Sequence, residues 1–199
     1  MTRLSVPPSW HDLLARLERG TILVVGATGT GKSHLARYLV SQLDRPLDRV
    51  GLVDADVGQS SIGVPTCLGM ALTAPWQAPA ALWFVGDVSP RGHLLPTVVG
   101  TAELVRRAYA EGAQAVVVDT PGLVGGPVGQ LLQAHLAIAT RADRIVTIER
   151  GDELAPLVSA LATDSRPVHR LSPAAAARDR TLEQRRSYRD SRFEAHFRG

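Results

Sequence analysis

The chain is poor in cysteine, in lysine and in long apolar runs, and each shortage excludes something. One cysteine, Cys67, among 199 residues rules out an internal disulfide and a multi-cysteine metal cluster, so a small, half-buried thiol is expected there. No apolar stretch approaches the roughly 20 residues that a membrane span needs. The opening MTRLSVPPSWHDLL has no apolar signal-peptide core. With 45% hydrophobic residues and a mean hydropathy of +0.03, these absences lead to the expectation of a cytoplasmic globular protein with no membrane partner, folded as a single domain over 1–199. The 22 basic residues include a single lysine, Lys32. A chain that otherwise uses arginine keeps a compact ammonium at that one place, where a planar guanidinium would not serve. The net charge of +3 and pI near 9.6 do not by themselves identify a nucleic-acid partner.

Apolar strands alternate with segments of helical period. Residues 8–19 read as an amphipathic helix ended by Gly20, forming an N-terminal piece over 1–20. TILVVG (21–26) reads as a buried strand, 33–43 as a helix and RVGLVD (49–54) as a second strand. Residues 57–80 read as one long loop. Strands at 81–86, 113–120, 143–149 and 166–171 alternate with helices at 97–112, 128–141 and 152–162. Such alternation predicts a three-layer α/β core over 21–172 with a mainly parallel sheet and right-handed crossovers. Residues 173–180 read as a hinge into an Arg-rich C-terminal helix, and 173–199 as a lid.

Between the first strand and its helix lies Gly26-Ala27-Thr28-Gly29-Thr30-Gly31-Lys32-Ser33, followed by His34. This fits G-x-x-x-x-G-K-[ST] in the strand–turn–helix context that its chemistry requires. Glycines let backbone N–H groups turn around phosphate oxygens, Lys32 reaches the β and γ phosphates, and Ser33 ligates Mg²⁺. The three-layer core is therefore expected to be a P-loop NTPase fold that binds ATP and Mg²⁺.

What receives the phosphoryl group is open among three classes. AVVVDTPG (115–122) ends a strand in Asp119, suited to a metal-bound water, and its D-x-x-G also occurs in GTPases. A GTPase should add a guanine-reading N-K-x-D-like segment, and TIERGDE (147–153) has none. An ATP-driven partner-switching protein is the second class. The third is a kinase. In VDADVGQ, Asp54 and Asp56 end the second strand at the edge where ligands gather in open parallel sheets. One carboxylate can hold Mg²⁺, directly or through water, and the other can accept a hydroxyl proton; equally, both can simply cap the loop that follows. Arg185, Arg189 and Arg192 fall at spacings of four and three beside Leu182, Phe193 and Phe197. Such a cationic stripe destabilises an isolated helix, which either an anionic partner or partial neutralisation of a solvated helix by Glu183, Asp190 and Glu194 would answer. A hinged arginine lid over a transferring phosphoryl group would supply one and exclude water.

These elements in this order, GATGTGKS, DADVGQSSIGVP, FVGDVSPRGH, VVVDTPGLV and RTLEQRRSYRDSRF, resemble the polynucleotide 5′-hydroxyl kinase family, which includes the kinase subunit of the pre-mRNA cleavage machinery and the pre-rRNA processing kinases. The resemblance spans 21–198. It implies transfer of the ATP γ-phosphate to the 5′-OH of RNA or DNA, a partner that is single-stranded or end-exposed nucleic acid. It implies Asp56 as general base, Lys32 and Ser33 on phosphates and Mg²⁺, Asp54 in an outer-sphere magnesium role, and Arg180, Arg185 and Arg189 in the lid. Gln59 and the loop carrying Ser89, Arg91 and His93 would line the acceptor groove, with Thr120 and Gly122 alongside. Relatives flank this domain with further domains absent from these residues. They also commonly place a Trp that could stack on a base where this chain has Leu123, so weaker affinity or length preference is expected unless Trp76, Trp83 or another aromatic substitutes.

Overall fold

The computed structural model describes residues 6–45, 47–72, 79–162, 166–175 and 177–198. In chain order the elements are α1 (Pro8–Leu14), β1 (Gly20–Gly26), α2 (Lys32–Leu43), β2 (Val50–Asp54), β3 (Cys67–Leu72), β4 (Ala81–Phe84), α3 (Leu94–Ala110), β5 (Ala115–Asp119), α4 (Gly126–Ala139), β6 (Arg144–Ile148), α5 (Ala155–Leu161), β7 (Val168–Leu171) and α6 (Leu182–Phe197). The seven strands form one sheet in the order β4-β3-β2-β5-β1-β6-β7. Pairs β2–β5, β5–β1, β1–β6 and β6–β7 are parallel, while β3 runs antiparallel to both β2 and β4. The fold is thus the α/β P-loop NTPase type with a mixed, mostly parallel sheet.

The central strands carry apolar side chains at nearly every position because both faces are covered. Alternation then divides them between two cores. Leu23, Val25, Val53, Val116 and Val118 join α3, α4 and α5 on one face. Ile22, Val24, Leu52, Ala115 and Val117 join α1 and α2 on the other. Helix α2 presents Leu35, Ala36, Leu39, Val40 and Leu43 inward, the spacing of one helical face.

Two expectations are corrected. Residues 57–80 are not one irregular loop, because β3 lies within them. Its CLGMAL sequence is buried on both faces and so shows no alternation. Its central Gly69 is needed because Ile62 lies on it: a Cβ there would stand 2.8 Å from Ile62 Cβ. The N-terminal helix keeps helical form only to Leu14, and its apolar face continues through Leu17, buried in a following turn. Residues 73–78, including Trp76, lie outside the described part of the chain, as does residue 176 of the hinge. Cys67 is buried, and burial pushes its thiol up from the usual value. Among the described residues no helix is long and apolar enough to cross a membrane.

Candidate active site

Strands β1, β2, β5 and β6 run the same way, so Gly26, Asp54, Asp119 and Ile148 end at one edge of the sheet. The phosphate loop leaves β1 at this edge. Gly29 and Gly31 have φ of 73° and 97°, which only glycine adopts without strain, and α2 begins directly at Lys32. Thr30 Oγ1 donates to Ala27 O at 2.8 Å, and the buried Lys32 Nζ donates to the same carbonyl at 3.0 Å. Gly26 packs against Ile148 O, where a Cβ would come within 2.5 Å. Gly122 likewise lies on Thr28, leaving 3.0 Å between its absent Cβ and Thr28 N. The DTPG turn therefore abuts the phosphate loop. His34 stands in the first turn of α2; burial, then the charges of Arg37 and Arg180, lower its pKa.

Asp54 and Asp119 are register neighbours on β2 and β5, both almost fully buried. Asp54 accepts from Ser61 N (2.5 Å), Ser61 Oγ (2.7 Å) and Asp56 N (3.0 Å). Burial, and secondarily the charge of Asp56, pushes its carboxyl up to about 6. Burial and then the charge of Asp54 push Asp119 to about 7, against the pull of the Lys32 ammonium and the neighbouring Ser33 hydroxyl. Burial and mutual repulsion thus raise both carboxyls, and the Lys32 ammonium and the Ser61 donors offset part of that rise. Asp119 Oδ1 is buried with no hydrogen-bond partner. A buried, unpartnered carboxylate oxygen beside the Ser33 hydroxyl fits a magnesium ion. Among the described residues no three His, Cys, Asp or Glu side chains cluster as a metal cage, so such an ion would complete its shell with phosphate and water oxygens.

Of the two readings open for Asp56, the hydrogen bonds show the capping one. Its Oδ1 caps the following turn, accepting from Gly58 N and Gln59 N at 3.0 Å each. Its Oδ2 has no partner among the described residues, and the side chain is half-exposed. Against this turn lies the loop after β4, since a Cβ on Gly58 would sit 2.5 Å from Val88 O. That loop is braced by Ser89 N on Asp87 Oδ1 and by Arg91 N on Ser89 Oγ, and ends at His93, the N-cap of α3. The loop thus meets the Asp56 turn through Val88, next to Ser89, and no hydrogen bond joins Arg91 or His93 to that turn among the described residues. Thr120 is different: it is fully buried and its hydroxyl donates to Val24 O at 2.9 Å, so it braces β5 against β1 and offers no free contact. Trp83 packs on Gly100 of α3 and is no stacking platform. Leu123 also packs against the core.

The tail is docked over this edge. A capping box between Thr181 and Gln184 starts α6. Arg180 donates to Gln59 Oε1 (2.9 Å), Tyr188 OH to Ser60 O (2.9 Å) and Arg192 to Gly63 O (2.6 Å). Arg185 pairs with Asp179 at 2.5 Å. The Asp179 backbone sits on the phosphate loop, where a Cβ on Gly29 would stand 2.6 Å from its Cα. Arg189 is half-buried and has no ion pair or hydrogen bond among the described residues. Sequence reasoning missed Ser61, Asp179, Tyr188 and Arg150, whose Nη2 donates to Gly29 O at 3.4 Å. Tyr188 stands among arginines that dominate the local pattern, and Ser61 carries no local signal. Past β6, Glu149 is spent on Arg170 (2.7 Å), Thr147 Oγ1 and Leu154 N.

A family model described as "mRNA cleavage and polyadenylation factor CLP1 P-loop" matches residues 26–199. A polyribonucleotide 5′-hydroxyl-kinase of Pyrococcus horikoshii is 31% identical over 69% of this chain and 39% of its own length. One from Thermococcus kodakarensis is 31% identical over 89% of this chain and 51% of its own. The polyribonucleotide 5′-hydroxyl-kinase Clp1 of Gallus gallus is 30% identical over 92% and 45%. The chain therefore spans about half the length of the curated relatives it matches or less. The solved Clp1p–Pcf11p complex superposes with a TM-score of 0.76 over 94% of this chain and 53% of that one at 16% identity, a likeness of fold. The match of the family model from Gly26 to the last residue, most of the chain, shows that this chain belongs to the CLP1 P-loop family.

Proposed function

We propose that the chain is an ATP-dependent polynucleotide 5′-hydroxyl kinase. One observation carries the reading: a half-exposed carboxylate with a free oxygen, the phosphate loop and an arginine-rich tail meet at a single edge of the sheet. The terminal 5′-hydroxyl of RNA or DNA attacks the γ-phosphorus in line. As the new O–P bond forms, the bond to the β-phosphate oxygen breaks, leaving ADP. The hydroxyl proton passes to Asp56 Oδ2, which the turn on Oδ1 holds in place. Lys32, resting on Ala27 O in the structure, exchanges that carbonyl for phosphate oxygens. Arg189 needs no such exchange, while Arg185 gives up Asp179. Magnesium, held by Ser33 and Asp119 with Asp54 behind them, would supply charge neutralisation of the triphosphate.

The test is side-by-side end-labelling with labelled ATP and 5′-OH RNA, 5′-OH DNA and a mononucleoside. Label on the 5′ end of the polymers is expected. A labelled nucleoside alone would make this a small-molecule kinase, and GTP hydrolysis with no transfer would make it a G protein.

A further inference from the structure

Helix α6 has no fully buried side chain, so a few polar contacts decide where it rests. Three of them meet the same short stretch of the body: Arg180 on Gln59, Tyr188 on Ser60 and Arg192 on Gly63. That stretch also holds the carboxylates of Asp54 and Asp56. The amides of Gly58 and Gln59 fix Asp56 Oδ1, and Ser61 fixes Asp54 through its amide and hydroxyl. Ser60 between them is fully buried and donates to Ile62 O at 2.8 Å, so its carbonyl is a firm anchor. Tyr188 touches both the loop and Arg180. Its hydroxyl donates to Ser60 O, and the Arg180 guanidinium carbon lies 4.7 Å from its ring centroid.

We infer that Tyr188 is a positioning residue: its ring carries Arg180, its hydroxyl ties the tail to the Asp54–Ser61 loop, and through both it sets the arginine lid and the proton-accepting loop in register. Tyr188 touches neither reacting group. A phenol suits this double role, offering a face for the guanidinium and a donor at its tip; phenylalanine keeps only the first and leucine neither. The kinetic part of the inference rests on the kinase reading, and the structural part does not.

The experiment combines amide hydrogen exchange with kinetics on Tyr188→Phe, Tyr188→Leu, Arg180→Ala and the double variant Arg180→Ala/Tyr188→Leu. Tyr188→Phe should speed exchange at the Gly58, Gln59 and Ser61 amides and leave the α2 amides of Leu35 and Ala36 unchanged. It should lower kcat by about two- to tenfold, the range for one net hydrogen bond, with the Kd for ATP within about twofold of wild type. Tyr188→Leu should lower kcat further, yet in the Arg180→Ala background it should cost no more than Tyr188→Phe costs alone, because the ring's share of the effect passes through Arg180 and only the hydroxyl's share remains. Unchanged exchange in Tyr188→Phe, or fully additive losses in the double variant, would overturn the inference. Should wild-type protein label no polymer, the kinase reading falls and the exchange data alone decide the role of Tyr188.

Discussion

Three aspartates within one sheet edge are given different work by their surroundings. Asp54 has both oxygens occupied by Ser61 and the Asp56 amide, so it supports rather than reacts. Asp119 keeps a buried oxygen unpartnered beside Ser33 and Lys32. Asp56 keeps one oxygen outward and anchors the other in a turn. An asparagine at 56 can still cap that turn through its carbonyl oxygen but cannot accept a proton. Asp56→Asn is therefore expected to cut end-labelling by about 10²–10⁴-fold, the usual contribution of general base catalysis, while ATP binding stays within a few-fold. Titration of ATP against both proteins beside a transfer assay checks this, and near-wild-type turnover would remove Asp56 from the chemistry. Gly122 offers a residue-level test of the phosphate loop itself. A methyl there would press on Thr28 N, so Gly122→Ala should weaken ATP binding about tenfold or more without unfolding the sheet, as read by calorimetry and circular dichroism.

The elements that position these groups differ in how openly the sequence announces them. β1, the phosphate loop and α2 follow directly from an apolar run, glycines at left-handed positions and one-faced helical spacing. β3 stayed hidden because a short run buried on both sides, with a glycine under Ile62, has no period to detect. The pairing of Asp54 with Asp119 was equally invisible: it depends on β2 lying next to β5, a matter of strand order and not of local pattern. The tail's arginines were legible as a cationic stripe, but their partners 120 or more residues away were not, and Asp179 looked like a hinge residue. Asp179 now gives the tail a measurable property. It neutralises Arg185 and brings a carboxylate next to the loop where a triphosphate would sit. Asp179→Asn should therefore tighten ATP binding by about two- to fivefold, the modest range for a solvent-screened ion pair, and the gain should shrink in high salt. Arg185→Gln should do the opposite kind of thing, lowering turnover more than affinity, since charge on the lid acts chiefly on the transferring phosphoryl group. Parallel ATP titrations and rate measurements on the two variants separate these effects.

For the molecule as a whole, the sheet edge that makes the site also weakens the fold at neutral pH. An aspartate in the unfolded chain titrates near 3.8, whereas burial and neighbouring carboxylates push Asp54 up to about 6 and Asp119 up to about 7. From about pH 4 to pH 7 the native state therefore holds protons that the unfolded chain has released. By linkage, the stability tied to these groups is fully present below the unfolded value and falls as pH rises through the folded ones, and the whole penalty is in force above about 7. The nucleotide-free protein should accordingly melt at a higher temperature at pH 5.5 than at pH 8, and Asp119→Asn, which has no proton to lose, should flatten that difference by raising the pH 8 value. ATP with Mg²⁺ favours the ionised carboxylates, so its thermal stabilisation should be larger at pH 8 than at pH 5.5. Thermal melts of both proteins at the two pH values, with and without Mg²⁺-ATP, decide the matter. A wild-type melting temperature that climbs between pH 5.5 and 8 and does not respond to Asp119→Asn would mean that the carboxylates are ionised and paired in the native state, with the proton-holding edge absent.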